Sequence, residues 1–517
     1  MAVFMHSQLR MFGAAVSRLV AGARGRVLAD AASRVWNGAL SFVILPAYLY
    51  FIGAESFGVV SLYAAAQAVI ALLDCSLAPS LTRQLARSRV TKESWNRSHD
   101  LAKTMEVIYW GFAILAGVCF SLLVPIISSY WLNPTQLSAA EVKAALYIGA
   151  IGLAVQWPST LYSGGLVGLQ KQNTLAILNV FGSTLRAMLT VFCLWAISSS
   201  VEVLFWVGAA LGLIHTLVMR YVFWQSMPNR ETRGIFRMTL LAEIWRFAFG
   251  VSAITITSVI LLQADKITLS RLLPLEEFGY YAISTALANA LFIATGSIFS
   301  VTFPKLSELA VSGDREKLIT FYHLACQGVA LAILPISAVI SIFSSELLQL
   351  WTRNPHIAEN GHSILSVFVV GNIFNCLLSV PYTVQLAFGL TRMAIVANFV
   401  ALLLAFPLTY FLYGTYGSLS GPIMWMIINF GLLVTLTFVS HYRVLSGEAM
   451  KWCIVDTGLP LLVSFAIVAI FRQILPVLVG GWQIAIAIFV GWVLATACTY
   501  AVLPDLRIKL AAVVRHN

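Results

Sequence analysis

Charged side chains are scarce in this sequence: Asp, Glu, Lys and Arg make up 10% of the 517 residues, whereas about 25% is typical of soluble domains. Hydrophobic residues make up 60%, and the mean hydropathy is +0.87. Apolar runs of roughly 18 to 25 residues recur from Ala29 to Leu503, and each is long enough for a helix to cross a hydrocarbon layer about 30 Å thick. Polar and apolar residues do not alternate with a period of two, which argues against a closed β-barrel. The composition therefore excludes a water-soluble protein and predicts an all-α polytopic membrane protein.

Paired cysteines are also missing. No CxxC pair or Cys/His cluster has the spacing of metal ligands, and each cysteine is a single residue within an apolar run. We therefore interpret the cysteines as small packing residues, and the sequence predicts neither a metal site nor a cofactor. They are Cys75, Cys119, Cys193, Cys326, Cys376, Cys453 and Cys498.

The cations are distributed unevenly along the chain. We predict about fourteen membrane-spanning helices, from 29–51 to 483–503, and an even number places both termini on one side. With the N-terminus in the cytoplasm, 24 of the 32 lysines and arginines fall on cytoplasmic segments and 4 on periplasmic ones. This is the positive-inside pattern. It predicts a multi-pass membrane protein with both termini cytoplasmic.

The formal net charge of +11 follows from the same placement. The basic residues face the cytoplasm, where they attract anionic lipids, so we do not expect the chain to bind nucleic acid. Residues 1–28 are basic and weakly apolar, with arginines that interrupt any signal-peptide core. We predict that they form a cytoplasmic amphipathic segment.

Two short sequence matches recur at one offset. FG at 57–58 recurs at 278–279, and GL at 168–169 recurs at 389–390, in both cases 221 positions later. Tight turns can require glycine at each place, but turn chemistry does not set a common offset. We therefore infer a duplicated six-helix unit. Because six is even, the two copies enter the membrane in the same orientation, as a parallel repeat.

Five segments together carry a resemblance to a known superfamily. Their order and spacing resemble the multidrug/oligosaccharidyl-lipid/polysaccharide exporter superfamily, and within it the polysaccharide-type flippases, over about residues 29 to 505. The segments are IGAESFGVVSLYAAAQAVIALLDCSLAPSLTRQLAR (52–87), GLQKQN (168–173), LLQADKITLSRLLPLEEFGYYAIS (261–284), FPKLSEL (303–309) and GLTRMAIVAN (389–398).

The resemblance implies two six-helix lobes that form a V around a cationic cavity, with two additional C-terminal helices. The lobes correspond to 29–242 (helices 1–6) and 243–441 (helices 7–12). Residues 442–517 then hold helices 13 and 14 and a cytoplasmic tail. The implied function is the flipping of an undecaprenyl-diphosphate-linked oligosaccharide, an O-antigen or exopolysaccharide precursor, from the cytoplasmic to the periplasmic leaflet by alternating access. The lipid-linked oligosaccharide and membrane lipids are the implied partners, and polysaccharide polymerase machinery is a candidate partner.

Two alternatives lie within the same superfamily. Lipid II-type flippases also have fourteen helices, but they usually carry several arginines on the first two helices, where this chain has Arg34. Cation-coupled drug exporters typically have twelve helices, and a cationic drug would favour an acidic cavity, whereas the charges within the spans here lean positive.

A membrane enzyme acting on lipid-linked sugars, such as a polymerase, ligase or glycosyltransferase, is an alternative of another class. Such an enzyme needs acid/base groups gathered in a large extracytoplasmic loop, and the longest predicted outside loop is 344–362. Its ionisable residues are Glu346, Arg353, His356, Glu359 and His362. The last three are spaced by three, which could place metal ligands on one helical face, but they match no known metal motif. We therefore predict transport and no catalysis.

Ionisable residues within the apolar runs are the candidate site residues, because each costs about 2.5 to 3.5 kcal/mol to insert. Arg34 near the cytoplasmic end of the first helix and Asp74 near that of the second are candidates for an inner gate or for a structural ion pair. Asp265 and Lys266 lie at the outer end of the seventh helix. Adjacent helical residues point about 100° apart, so one could anchor a neighbour while the other faces substrate, unless both are solvated at the interface.

Arg186 is the strongest candidate for contact with substrate. It lies about thirteen residues into the fifth helix, too deep for its side chain to reach water. A diphosphate would suit its planar fork of donors, although helix carbonyls or an asparagine could also bind it. His215 on the sixth helix is a further candidate or a packing residue. Five amides within the apolar runs could bind sugar hydroxyls or form hydrogen bonds between helices. They are Asn179, Asn372, Asn375, Gln385 and Asn398.

The topology can be tested with reporter fusions. Because cations mark the cytoplasmic segments, we expect fusions after Arg97, Arg230 and Arg315 to report the cytoplasm and fusions near Asn133 and Asn354 to report the periplasm. Paired reporters, one active only in each compartment, make each result positive. A reversed signal at any two of these sites would contradict the fourteen-helix topology.

Overall fold

The computed structural model describes residues 23–74, 77–88, 95–228, 234–475 and 481–509. Most of the predicted amphipathic segment 1–28, and Cys75, lie outside these residues. In the described ranges the chain is helical, with one isolated β-bridge between Asn133 and Pro274. The prediction of an all-α membrane protein is confirmed.

The described part of the chain up to residue 272 contains the following helices: α1 (Ala23–Ile70), α2 (Leu77–Ser88), α3 (Trp95–Ile126), α4 (Ala139–Gln156), α5 (Ser159–Gly168), α6 (Gln172–Ala196), α7 (Val201–Ser226) and α8 (Met238–Leu272). The part after it contains α9 (Leu275–Ala288), α10 (Leu291–Ser312), α11 (Arg315–Ile342), α12 (Ser344–Thr352), α13 (Pro355–Ala387), α14 (Thr391–Tyr416), α15 (Ser420–Arg443), α16 (Ala449–Lys451), α17 (Leu459–Ile474) and α18 (Gly481–Ala501).

Several helices begin at capping residues that satisfy their first N–H groups. At α4, Ser138 Oγ accepts from the N–H of Glu141 at 3.2 Å, and the Glu141 carboxylate accepts from the N–H of Ser138 at 2.8 Å. This is a capping box. At α11, Asp314 accepts from the N–H of Lys317 at 3.1 Å. Local sequence therefore sets where these helices start.

Eleven helical stretches in the described residues are long and apolar enough to cross a membrane. Two of them, Ala32–Ile70 and Thr391–Arg443, contain a glycine with positive φ, and the second is too long for one crossing, since 53 residues would measure about 80 Å as a single helix. The first is interrupted at Gly53 (φ 75°) and the second at Gly417 (φ 53°), a region of φ that favours glycine. Dividing both and adding α8 gives fourteen helical segments. The number of membrane crossings itself stays a prediction.

The chain divides into two compact units. The N-unit contains the described residues up to Leu132 together with Gln136–Ile256, and the C-unit contains Asn133–Thr135 and the described residues from Thr257 onward. The boundary after Ile256 falls inside α8, fourteen residues later than the predicted lobe boundary at 242. The predicted six-plus-six-plus-two organisation stays a prediction.

A carboxylate in the apolar helix α3 has several partners in the N-unit. Glu106 is 3% exposed and accepts hydrogen bonds from Lys103 Nζ at 2.7 Å and Arg220 Nε at 2.6 Å. Tyr162 Oη at 2.8 Å and Trp224 Nε1 at 3.1 Å complete its partners. The charge is tolerated in this helix because donors from α3 itself, α5 and α7 surround it.

A polar network in the C-unit holds the C-terminal segment against α11, and we call it the C-terminal latch. The buried ring of His323 lies between Asp456 at Nδ1 and Glu448 at Nε2, 3.1 Å away. Gln327 donates to both Asp456 and Asp505 at 2.9 Å, and its carbonyl accepts from the N–H of residue 506 at 3.0 Å. The network therefore joins α11 to the π-helical turn Trp452–Gly458 and to the chain after α18.

The segment 344–362, predicted as the longest outside loop, is helical apart from a short turn, and its side of the membrane stays a prediction. Helix α12 occupies Ser344–Thr352, and α13 begins at Pro355 after a turn at Arg353 (φ 53°). Glu346 in α12 is paired with Arg472 at the end of α17. The polar residues His356, Glu359 and His362 suggested a loop. In the structure they lie in the first turns of α13. The segment packs as part of the C-unit.

The C-terminal latch can be tested through Gln327. We expect Gln327→Leu to lower the free energy of unfolding by at least about 2 kcal/mol, because it leaves buried acceptors on Asp456 and a backbone N–H unpaired. Ser337→Ala on the same helix is the control: among the described residues the buried Ser337 hydroxyl has no hydrogen-bond partner, so its removal should cause no loss. Thermal unfolding of the purified protein in detergent measures both. Equal stability of Gln327→Leu and the wild type would contradict the latch.

Candidate functional site

A cavity in the N-unit contains the deepest predicted cation. It consists of two adjoining compartments of about 630 and 180 Å³, which share Tyr48, Val60, Ala64 and Arg186 among their lining residues. Helices α1, α6 and α7 contribute residues to both compartments, and α4 contributes to the smaller one. Arg186 therefore lies where the two compartments meet.

Arg186 is held by a neutral amide. It is the fifteenth residue of α6, roughly 20 Å along the helix from Gln172, and its Nη1 donates to Gln156 Oε1 at 3.2 Å. Gln156 is the last residue of α4, where Pro158 lacks the N–H that would continue the helix. The Gln156 amide also donates to the carbonyl of Gly208 on α7 at 3.4 Å. Its oxygen is thus turned towards the guanidinium.

Two tyrosines complete the surroundings of the guanidinium. Tyr48 is hydrogen-bonded to Thr190, and Tyr63 accepts from Gln67 Nε2 at 3.1 Å. The ring of Tyr63 is 8% exposed and packs edge-on against Phe205, with centroids 4.9 Å apart. Their hydroxyls give the smaller compartment a polar wall without any charge.

The larger compartment is polar along α1 and α6. Ser183 donates to Asn37 Oδ1 at 2.6 Å and so joins the two helices, and Asn179 lies in the same wall. The ring of His215 fits against Gly182, where an added Cβ would come within 2.5 Å of Nδ1. His215, predicted as a site or packing residue, therefore lines the same compartment as Arg186.

Arg186 has no carboxylate within ion-pairing distance among the residues that the structure describes. No Asp or Glu is among the described lining residues of either compartment. Arg186 is therefore the one permanently charged residue among the described lining residues. A guanidinium in such surroundings attracts anions more strongly than it would in water.

The other predicted site residues lie elsewhere. Arg34 is exposed on α1. Asp74 does not lie within a long second helix as predicted, but in a 3₁₀ turn, Ala71–Asp74, that follows α1. Its carboxylate accepts from the hydroxyl of Tyr109 and from the N–H of Ala78 at 3.4 Å. Asp74 is thus engaged in the packing of α1, α2 and α3.

Asp265 and Lys266 face different surroundings in the C-unit, as their 100° separation requires. Asp265 is 3% exposed and accepts a hydrogen bond from the buried hydroxyl of Tyr281 on α9. Lys266 is half-buried. The structure therefore gives Asp265 an anchoring contact and leaves Lys266 as the accessible member of the doublet.

The predicted amides of the C-unit bridge helices, and some of them also line a cavity. Asn372 is fully buried and joins Ala288 O to Trp425 Nε1, at 2.9 and 2.8 Å. Gln385 is also fully buried and donates to Leu436 O at 2.5 Å. Asn375 and Asn398 each donate one hydrogen bond to another helix and also line a cavity of the C-unit. Helix bridging is thus common to all four, and only the last two also face a cavity.

Sequence reasoning missed Gln156, Tyr48 and Tyr63. Each is a polar group inside an apolar run, which is a usable signal, but the partner of Arg186 is thirty residues away in sequence and on another helix. The proline two residues after Gln156 is a further signal in the sequence, because it marks the break that ends α4.

Comparisons with known proteins agree with this architecture. A family profile described as "Polysaccharide biosynthesis protein" matches residues 27–310. A putative O-antigen transporter of Shigella flexneri is 22% identical over 383 residues, which cover 73% of this chain and 87% of the relative. The succinoglycan biosynthesis transport protein ExoT of Rhizobium meliloti (strain 1021) is 22% identical over 337 residues, 62% of each chain.

Solved structures show the same fold. Lipid II flippase MurJ in an inward closed conformation matches with a TM-score of 0.70 and 14% identity, over 92% of this chain and 98% of MurJ. An inward-facing multidrug resistance MATE family transporter of the MOP superfamily matches with a TM-score of 0.66 and 16% identity, over 79% and 94%. These relatives are transporters and flippases, which supports transport and not catalysis. Since the family match covers more than half of the sequence, the chain belongs to the polysaccharide biosynthesis protein family, whose matched relatives here are membrane transporters.

Proposed function

We propose that this protein flips an undecaprenyl-diphosphate-linked oligosaccharide from the cytoplasmic to the periplasmic leaflet of a bacterial inner membrane by alternating access. Both termini are cytoplasmic in this proposal. The observation that carries it is the guanidinium of Arg186, which lies in a cavity of the N-unit with a neutral amide as its hydrogen-bond partner. The relatives named for O-antigen and succinoglycan transport support the substrate class.

A diphosphate suits Arg186 for geometric reasons. A guanidinium has five N–H donors in a planar fork, and Gln156 engages Nη1. The remaining donors can form paired hydrogen bonds with phosphate oxygens, which are about twice as strong as neutral ones. The charge is permanent because arginine is not deprotonated in proteins. Arg186 therefore offers the diphosphate a fixed cationic contact away from bulk water.

Gln156 positions this contact. Its amide is fixed by the carbonyl of Gly208, so its oxygen restrains one side of the guanidinium. The hydroxyls of Tyr48 and Tyr63 lie close enough to interact with the same charge. Preorganised neutral groups hold the guanidinium without neutralising it, which keeps its charge for the substrate.

The same charge disfavours a cationic drug as substrate. A cation entering the N-unit cavity would approach Arg186 with no described lining carboxylate to compensate. We propose lesser roles for Arg34 and Lys266 as accessible cations along the path of the diphosphate. Asp74 and Asp265 position their neighbours Tyr109 and Tyr281.

The central test replaces Arg186. Arg186→Ala should reduce flipping by a factor on the order of 10 to 100 while the protein still inserts, because a hydrogen bond to a charged group contributes about 1.5 to 3 kcal/mol. Arg186→Lys should keep part of the activity, since it retains the charge and loses the fork. Purified protein in liposomes, supplied with the lipid-linked oligosaccharide, measures flipping and shows whether the mass of the lipid is unchanged. Normal flipping by Arg186→Ala, or a product of altered mass, would overturn the proposal.

A glycine pair provides a matched control for this test. An added Cβ at Gly212 would overlap the side chain of Gln156, whereas one at Gly111 on α3 meets no atom within 4 Å. Gly212→Ala should therefore displace Gln156 and lower flipping even though Arg186 is retained. Gly111→Ala should flip at the wild-type rate. Equal rates for the two variants would show that Gln156 does not position the guanidinium.

A further inference from the structure

The C-unit contains a polar cavity that the proposed contact at Arg186 does not use. It has a volume of about 370 Å³ and lies among α8, α10, α13, α14 and α15. The side chains that matter here are Ser258, Phe292, Phe299, Asn375, Tyr382 and Asn398. This volume is at the lower end of the range of ligand pockets, about 300 to 1,000 Å³. We refer to it as the C-unit cavity.

The amide of Asn375 is oriented by its neighbours. Asn429 is fully buried and donates through Nδ2 to Trp425 O at 2.8 Å, so its Oδ1 is free to accept. Asn375 Nδ2 donates to that oxygen at 2.7 Å. The carbonyl oxygen of Asn375 is consequently left without a hydrogen-bond partner among the described residues.

Two more polar groups of the C-unit cavity also lack a hydrogen-bond partner among the described residues. Asn398 Nδ2 donates to Ser258 Oγ at 3.3 Å, and its carbonyl oxygen has no partner in the part of the chain that the structure describes. The hydroxyl of Tyr382 likewise has no partner among those residues. These three atoms are not enclosed in the protein interior but are open to the cavity, where they can form hydrogen bonds with a polar occupant.

No described lining residue of the C-unit cavity is charged, which separates it from the N-unit cavity. A diphosphate would have no counter-charge there, and burying it would be costly. The rings of Phe292 and Phe299 add apolar faces beside the amides. Uncharged sugars combine hydroxyls, which pair with amides, and C–H faces, which pack on aromatic rings.

We propose that the C-unit cavity binds uncharged sugar residues of the substrate, while Arg186 in the N-unit binds its diphosphate. This rests on the proposed function for the identity of the lipid-linked substrate. Each unit recognises a different chemical part of one molecule. A polyprenyl diphosphate without sugar lacks the part that the C-unit cavity binds, so it engages the N-unit alone.

Cysteine protection tests this division. Ser379 lines the C-unit cavity, and Ser183 lines the N-unit cavity. Ser379→Cys and Ser183→Cys in the full chain are labelled with a small neutral thiol reagent, with the wild type as background for the native cysteines. The two probes are the oligosaccharide diphosphate lipid extracted from the strain that carries this protein, and sugar-free farnesyl diphosphate.

We expect the sugar-bearing lipid to slow labelling of Ser379→Cys at least tenfold and farnesyl diphosphate to leave it unchanged. Both probes should slow labelling of Ser183→Cys. Failure of both probes at Ser183 would contradict the diphosphate contact, whatever happens at Ser379. Equal protection of Ser379 by both probes, protection by neither, or a Ser379→Cys that the reagent does not label would each overturn the sugar site.

Filling the cavity gives an independent readout. An added Cβ at Gly296, in the wall of the C-unit cavity, meets no atom within 4 Å, and the same holds for Gly414 on α14. Both glycines are exposed. Gly296→Leu should lower flipping of the sugar-bearing lipid at least tenfold and leave the affinity for farnesyl diphosphate at the wild-type value, while Gly414→Leu should change neither. Wild-type flipping by Gly296→Leu, or a matching loss of farnesyl diphosphate affinity, would contradict the proposal.

Discussion

The hydrocarbon layer contains no water to solvate charge, and this constraint governs the ionisable side chains within the apolar helices. Glu106 is surrounded by Lys103 and Arg220, and the carboxylate of Asp265 is bound by the hydroxyl of Tyr281. Arg186 departs from that pattern, since its hydrogen-bond partner is the neutral Gln156. A permanent charge held by neutral groups is ready for an anionic ligand. The charge of the N-unit cavity therefore comes from one cation that no described carboxylate neutralises.

The same constraint explains why the polar groups of the C-unit fall into two kinds. Asn372 and Gln385 are fully buried and bridge helices, so their polarity stabilises packing. Asn375 and Asn398 line a cavity and keep unpaired oxygens among the described residues, so their polarity is available to a ligand. In the proposed division, the N-unit cavity with Arg186 suits the diphosphate and the uncharged C-unit cavity suits the sugars of a lipid-linked oligosaccharide.

Much of the fold could be predicted because a helix that crosses hydrocarbon requires a long run of apolar residues. Long apolar runs indicated the helices, and the depth of Arg186 in its run singled it out before any geometry was available. The partners of these residues were not predictable, because packing alone brings them together. Gln156 is thirty residues from Arg186 in sequence. Asp456 is 133 residues from His323. The helix at Ser344–Thr352 was missed because its polar residues imitate a loop. Polarity alone does not distinguish a solvated loop from a helix at the membrane surface.

The most direct measurement of the central claim is the equilibrium affinity of the purified protein for two soluble lipids, farnesyl diphosphate and farnesyl monophosphate. If Arg186 is a diphosphate contact, the wild type should prefer the diphosphate by roughly tenfold, since its second phosphate adds charge and oxygens for the remaining guanidinium donors, and one such contact contributes about 1.4 kcal/mol or more. Arg186→Gln, which keeps the polarity and removes the charge, should lose that preference. Retention of the preference by Arg186→Gln would contradict the account.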